Sequence, residues 1–303
     1  LAQNPGGPDM SGTIREILVL SGKGGTGKTS LAASFAALAR KTVFCDADVE
    51  APNLAILLEP DESRCEDFHG LPVYRIDEGK CTRCGRCEAA CRFHAIQDCR
   101  IFPESCEGCG VCAIVCRDDA VVREERVTGR ILRSSTRLGT LVHGNILPGA
   151  GNSGKLVSRL KEIAREQARS HGAGAILTDG PPGIGCPVIA ALGGVDYVLA
   201  VTEPTPSGLH DLERLLDLVA HFGIPAGVVV NKSDLKPELS HRIRETALRR
   251  GRDDLGEIPF DPSVPGDIAK GRIPSETGSP FGRRAENIFH EVLRRGADMG
   301  RRG

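Results

Sequence analysis

The sequence predicts an α/β fold: a mainly parallel sheet flanked by helices, with a small α+β domain inserted into it. Three observations predict this. Short apolar runs alternate with helix-patterned stretches before residue 77 and again after residue 123. Two of those runs lead into Gly-rich turns, SGKGGTGKTS at 21–30 and TDGPPG at 178–183. Eight of the twelve cysteines crowd between Cys81 and Cys116, in a stretch almost without apolar periodicity.

The leader LAQNPGGPDM is rich in Gly and Pro, so residues 1–12 are expected to be disordered, with Met10 a candidate start. EILVLSG (Glu16–Gly22) reads as a buried parallel strand ending in glycine. TSLAASFAALAR (Thr29–Arg40) is rich in Ala and Leu with a basic end, which predicts a helix. TVFCDAD (Thr42–Asp48) is the next strand and ends in two acids. After the cysteines, Ser153–Ser170 has the spacing of an amphipathic helix. AILTDGPPG, DYVLAVTEP, AGVVVNKSD and LGEIPF read as strands. SGLHDLERLLDLVAHFG, PELSHRIRETALRR and RRAENIFHEVLRR read as the helices between and after them. In the last, apolar Ile288, Phe289, Val292 and Leu293 are expected to pack on the core. Residues 13–76 and 124–303 thus form one larger domain, and 77–123 an insert.

Composition limits the function classes. Hydrophobic residues make up 40 % and charged residues 26 % of 303, ordinary for a soluble globular chain. The net charge of −1 predicts no broad basic field, so neither nucleic acid nor an anionic membrane is an expected partner. No apolar run approaches the ~20 residues that span a bilayer, and no secretory signal is visible. Clustered cysteines without an export signal argue against a disulfide framework and for a cytoplasmic metal-binding segment.

Gly22, Lys23, Gly24, Gly25, Thr26, Gly27, Lys28 and Thr29 satisfy G-x-x-x-x-G-K-[ST], between a strand and a helix. Glycines let the backbone N–H groups curl inward onto phosphate oxygens, and the helix beyond adds its positive end. Lys28 would neutralise the β- and γ-phosphates, and the Thr29 hydroxyl would ligate Mg²⁺. Ser30 completes the candidate phosphate-binding set.

The cysteines repeat. Cys81, Cys84, Cys87 and Cys91 recur 25 positions later as Cys106, Cys109, Cys112 and Cys116. Gly85 and Gly110, Ala95 and Ala120, and Ile96 and Val121 recur with them, which predicts two copies about a local two-fold axis. C-x₂-C-x₂-C-x₃-C, twice, is the bacterial ferredoxin arrangement, in which the fourth cysteine serves the other cluster. Cys81, Cys84, Cys87 and Cys116 are therefore expected to hold one 4Fe–4S cluster, and Cys106, Cys109, Cys112 and Cys91 the other. Two Cys₄ zinc sites are the alternative. Arg92 and Arg117 stand where ferredoxins usually have proline, and two cations there would raise the cluster potentials.

The second lysine, Lys23, makes the loop K-G-G-T-G-K-T, which resembles that of the MinD/ParA/Mrp ATPases and the nitrogenase iron protein. DADVEAPNL (Asp46–Leu54) resembles the switch I of that family, and Asp179 with GPPG resembles its Walker B acid and switch II. From about Thr13 to Arg295 the chain resembles MinD-like ATPases carrying an inserted two-cluster ferredoxin domain. The resemblance implies ATP/ADP and Mg²⁺ as ligands and an ATP-dependent homodimer, or a heterodimer with a related ATPase. It implies that Lys23 reaches the partner's phosphates, Asp48 activates the attacking water, and Asp46 and Asp179 support Mg²⁺. N-K-x-D at 231–234 is also a guanine-reading pattern. The resemblance favours ATP, with Asn231 at adenine and the chain from Pro259 to Asp261 over the base.

Cys186 lies on the candidate switch II, where the nitrogenase iron protein carries a ligating cysteine. It reads first as a buried, inert thiol, and second as a site for a transferred metal or cluster. Cys45, Cys65 and Cys99 read as free thiols. Three functions follow in order. The first is ATP hydrolysis coupled to electron transfer through the clusters to a redox partner. The second is cluster assembly or delivery of Mrp type, and the third is a MinD/ParA-like positioning ATPase.

Overall fold

The computed structural model describes residues 15–299, so the expected leader lies outside the described residues. The chain opens with β1 (Arg15–Ser21), α1 (Lys28–Leu38), β2 (Thr42–Asp46) and α2 (Leu54–Leu58). β3 (Glu62–His69) follows. Next come β4 (Val73–Ile76), α3 (Arg86–Ala90), β5 (Ile96–Gln97), β6 (Arg100–Ile101), α4 (Val111–Val115) and β7 (Val121–Glu124). A hairpin of β8 (Val127–Thr136) and β9 (Gly139–Ile146) leads into α5 (Ser153–Ser170). Regular alternation then runs through β10 (Ala175–Pro182), α6 (Cys186–Leu192), β11 (Tyr197–Thr202) and α7 (Pro206–His221). It ends with β12 (Ala226–Asn231), α8 (Pro237–Arg249), β13 (Asp253–Ile258), α9 (Ser263–Ile268) and α10 (Pro280–Met299).

Nine strands form one sheet in the order β13-β12-β11-β1-β10-β2-β9-β8-β3. The seven from β13 to β9 pair in parallel. β8 pairs antiparallel with both β9 and β3, closing one edge with a meander. The central strands are continuously apolar because both of their faces are covered. β1 shows this directly: Leu18 and Leu20 enter one core layer, and Ile17 and Val19 enter the other.

The first layer is closed by α5, whose Leu156, Leu160, Ile163 and Ala164 share one face at helical spacing, together with α6, α7 and α8. The second is closed by α1, α2 and α10. Phe281, Ile288, Phe289 and Val292 of α10 are buried there, and Phe289 packs on Phe35 at 5.1 Å between ring centroids. The core-packing expectation for α10 therefore holds.

The meander strands were not expected from the sequence. The cysteine segment leaves and returns through a separate two-stranded ladder, β4 with β7, which joins Ile76 to Val121. A second small ladder pairs Ile96 with Ile101. Counted by position, those two pairs are copies of each other, since 76 and 101, and 96 and 121, are 25 apart.

Candidate functional site

β1 ends at Ser21 and α1 begins at Lys28, so the phosphate loop spans the gap between a buried strand and a helix N-terminus. Gly25 and Gly27 have φ of 80° and 91°, in the left-handed region that favours glycine. Gly27 has a second constraint: a Cβ there would lie 2.3 Å from Asn231 Nδ2. The Asn231 amide donates to the Thr26 carbonyl at 2.8 Å and pins the loop from β12. The Thr26 hydroxyl is buried without a partner, a polar atom left for a ligand to satisfy.

Lys28 is buried and donates to Asp179 Oδ1 at 2.6 Å, with Asp48 Oδ2 at 3.7 Å. Burial alone would lower its pKa, but Asp179, Asp48 and Asp46 outweigh that and the net direction is upward. Thr29 Oγ1 donates to Asp179 Oδ2 at 2.7 Å. Asp46 is fully buried at the end of β2 and accepts from the N–H groups of Asp48 and Leu54, at 3.1 and 3.0 Å. Burial, with Asp179 beside it, pushes its pKa up to about 8. Burial also raises that of Asp48, more than Lys28 lowers it.

Two parallel strands, β2 and β10, therefore deliver three aspartates to the one lysine that follows β1. Mg²⁺ usually takes one or two carboxylates plus phosphate oxygens and waters. Thr29, Asp46 and Asp179 fit that role, because each raised or buried carboxylate would be relieved by a cation.

Lys23 does not point away from its own protomer. Its Nζ lies 2.7 Å from Glu203 Oε1, and it donates to Thr205 and Ser207, each at 3.1 Å. Lys232 Nζ holds the other oxygen of Glu203 at 3.0 Å and the Gly25 carbonyl at 3.0 Å. Sequence reading missed Glu203 and Lys232. TEP after β11 carried no pattern, and the contacts join positions that are far apart in the chain.

The base-side residues are engaged as supports. Asp261 caps Ser263 and accepts from the Phe281 N–H, fixing the start of α10. Asp234 accepts from the Phe260 N–H, which ties the N-K-x-D turn to the 259–261 segment. Ser30 is buried within the first turn of α1, and Gly24 is exposed at the loop's tip. Cys186 opens α6 directly after the Gly-rich turn and is exposed, which corrects the expectation of a buried thiol. Pro187 at the second helical position leaves Cys186 on the solvent side of the turn.

The cysteine segment forms two cavities. Cys81, Cys84, Cys87 and Cys116 line the first. Cys106, Cys109, Cys112 and Cys91 line the second. The repeat extends to the backbone. Gly85 and Gly110 enter α3 and α4 at φ 72° and 77°, and Cys91 and Cys116 end them at φ −79° and −78°. Arg83 and Gly108, and His94 and Asp119, share positive φ in pairs.

The Ala120 N–H donates to the Cys116 sulfur at 3.3 Å. Burial raises the Cys112 pKa to about 11 and also raises that of Cys87. Four thiols lining each cavity, with an N–H donor on the Cys116 sulfur, are soft ligands of the kind that suits an iron–sulfur group. Among the described residues no three His, Cys, Asp or Glu side chains converge as the ligands of a single metal ion. Arg92 and Arg117 are exposed, so solvent screens their charges.

A phosphate loop at a strand end, a buried lysine and three converging aspartates on a parallel sheet define a P-loop nucleotide-binding protein. Residues 17–274 match the CobQ/CobB/MinD/ParA nucleotide binding domain, and the chain belongs to that CbiA family. An uncharacterized protein of Methanocaldococcus jannaschii is 31 % identical over 287 residues, covering 94 % of this chain and 98 % of that one. A putative septum site-determining protein MinD of Mesostigma viride is 24 % identical over 260 residues, covering 82 % and 72 %. Septum site-determining protein MinD of Pyrococcus horikoshii, solved with Mg-ADP, aligns with a TM-score of 0.57 at 17 % identity, covering 92 % and 96 %. The cell division ATPase MinD of Pyrococcus furiosus aligns with a TM-score of 0.57 at 18 % identity, covering 93 % and 99 %. At these identities the solved structures share the fold. No helix among the described residues is long and apolar enough to cross a membrane.

Proposed function

We propose that this chain is an ATP-dependent iron–sulfur protein in which nucleotide state controls electron transfer through two 4Fe–4S clusters. The observation that carries the reading is the pair of cysteine cavities, each lined by three cysteines of one run and the fourth of the other. When bound, such groups supply one-electron redox chemistry. The chain's own part is to hold them with Cys81, Cys84, Cys87 and Cys116, and with Cys106, Cys109, Cys112 and Cys91. Residues 77–123 are the inserted redox unit, and 13–76 with 124–303 the ATPase unit.

At the nucleotide, the loop N–H groups and Lys28 hold phosphate, and Thr29, Asp46 and Asp179 hold Mg²⁺. Asp48, beside Lys28, orients the attacking water. Lys23 leaves Glu203 and crosses to the phosphates of a second protomer, closing a dimer. Adenine is the base read. The carboxylate of Asp234, which a guanine would need, is already taken by Phe260. Asn231 supports the loop and the base edge, and Asp261 holds the segment over it.

Anaerobic purification with iron and sulfide counts tests the reading, with about eight irons per chain expected. Zinc in place of iron would end it. Likeness in fold to MinD favours a second reading, a MinD/ParA-like positioning ATPase. It predicts ATP-dependent binding to vesicles or DNA and no change in cluster potential. Exposure of Cys186 favours a third, delivery of a metal cluster, in which Cys186→Ala abolishes transfer to an acceptor while ATP hydrolysis persists.

A further inference from the structure

The two cysteine cavities are lined from largely matching positions of the 25-position repeat, and one of the differences between them adds a sulfur. Cys81 matches Cys106, Ile76 matches Ile101, and Ala120 matches Ala95. Where the second cavity has Tyr74, the first has Cys99. The first cavity is therefore lined by five cysteines and the second by four.

Cys99 is placed there by a turn that disfavours it. Gln97 and Arg100 pair across β5 and β6, so Asp98 and Cys99 are the whole connection. Both have left-handed φ, 48° and 60°. A two-residue turn of this kind favours glycine at its second position, because a Cβ is strained there. The cysteine keeps the position nonetheless, with its thiol in hydrogen-bonding reach of the Cys81 thiol.

We propose that Cys99 is a reserve ligand of the first iron–sulfur site, able to take the position that Cys81 holds. This rests on the iron–sulfur reading above. The exchange is one for one. Cys99 would lose its proton on becoming the ligand, Cys81 would gain one on being released, and no oxidation state would change. The exchange also links the sites, because Ile96 and Ile101 of the same β5–β6 hairpin line the second cavity.

The test uses the full chain purified without oxygen, with iron per chain and iodoacetamide labelling of each cysteine as readouts. Wild type and Cys99→Gly, which suits the turn, should each hold about eight irons. Cys84→Ala, with no spare thiol, should fall to about four. Cys81→Ala should stay near eight, with Cys99 newly protected from alkylation, and the Cys81→Ala/Cys99→Gly protein should fall to about four.

Iron loss in Cys81→Ala equal to that in Cys84→Ala would overturn the proposal, as would full iron with Cys99 still alkylated. If Cys81→Ala is insoluble, Cys81→Ser takes its place under the same labelling. Protection of Cys99 then supports the proposal and reactivity overturns it. Wild type without iron overturns the iron–sulfur reading itself, and that is read before any variant is made.

Discussion

Lys23 Nζ sits 2.7 Å from Glu203 Oε1, so the loop's extra lysine is latched onto its own protomer. Lys232 holds the other side of the same carboxylate and also the loop carbonyl of Gly25. For Lys23 to reach a second protomer's phosphates, the pair must open. Glu203→Gln should therefore ease nucleotide-dependent dimerisation. The pair is partly exposed, so solvent limits the gain to about 1 kcal/mol, roughly fivefold in the dimer constant. Lys23→Ala should lose the dimer while still binding nucleotide. Sedimentation with Mg–ATP reads both.

Lys28 is the cation that buried Asp179 and Asp46 and half-buried Asp48 face. Removing it leaves Asp179 and Asp48 without the cation they pair with. Lys28→Ala should abolish nucleotide binding and also destabilise the nucleotide-free fold by about 3 kcal/mol. Adding Asp179→Asn should recover part of the stability and none of the binding. Urea unfolding beside a fluorescent-nucleotide titration separates the two effects.

His143, on β9, is buried against the Ser134 hydroxyl, and burial lowers its pKa below the ordinary 6.5. Below that value the unfolded chain binds more protons than the native one, so stability rises with pH there. The contribution is complete above the unfolded pKa and is lost as pH falls toward the lowered native one. His143→Gln cannot titrate and should flatten this part of the acid-side decline. Melting temperatures from about pH 5 to about pH 7.5 would show it.

Much of this was legible in the sequence, for physical reasons. β1, β10, β11 and β12 are buried on both faces and read as apolar runs. The 25-residue repeat reappears in matched backbone angles at Gly85 and Gly110. The edge meander was not legible. β3 reads ESRCEDFH, and among its described side chains only Phe68 enters the core. β8 and β9 do bury Ile131, Leu141 and Val142, but polar Thr128, Ser134 and His143 are buried beside them, so the apolar run that marks a central strand is broken. Glu203 could not be paired with Lys23 from the chain alone, since only the parallel order β11-β1-β10 brings their loops together. The reading of Cys186 as buried failed because an apolar neighbourhood in sequence did not show which side of the turn faces solvent.

The crossing of the fourth cysteines makes a sharp prediction. Cys116→Ala should expose Cys81, Cys84 and Cys87 to alkylation while its own run, Cys106, Cys109 and Cys112, stays protected together with Cys91. Labelling confined to Cys106, Cys109 and Cys112 would mean that each run closes its own site.

The central claim is that nucleotide state and cluster redox state are coupled, and an anaerobic redox titration with and without Mg–ATP tests it most directly. Iron–sulfur signals are expected whose midpoint moves on adding Mg–ATP, by about 59 mV for each tenfold difference in nucleotide affinity between oxidation states. Titration curves that coincide with and without nucleotide would contradict it.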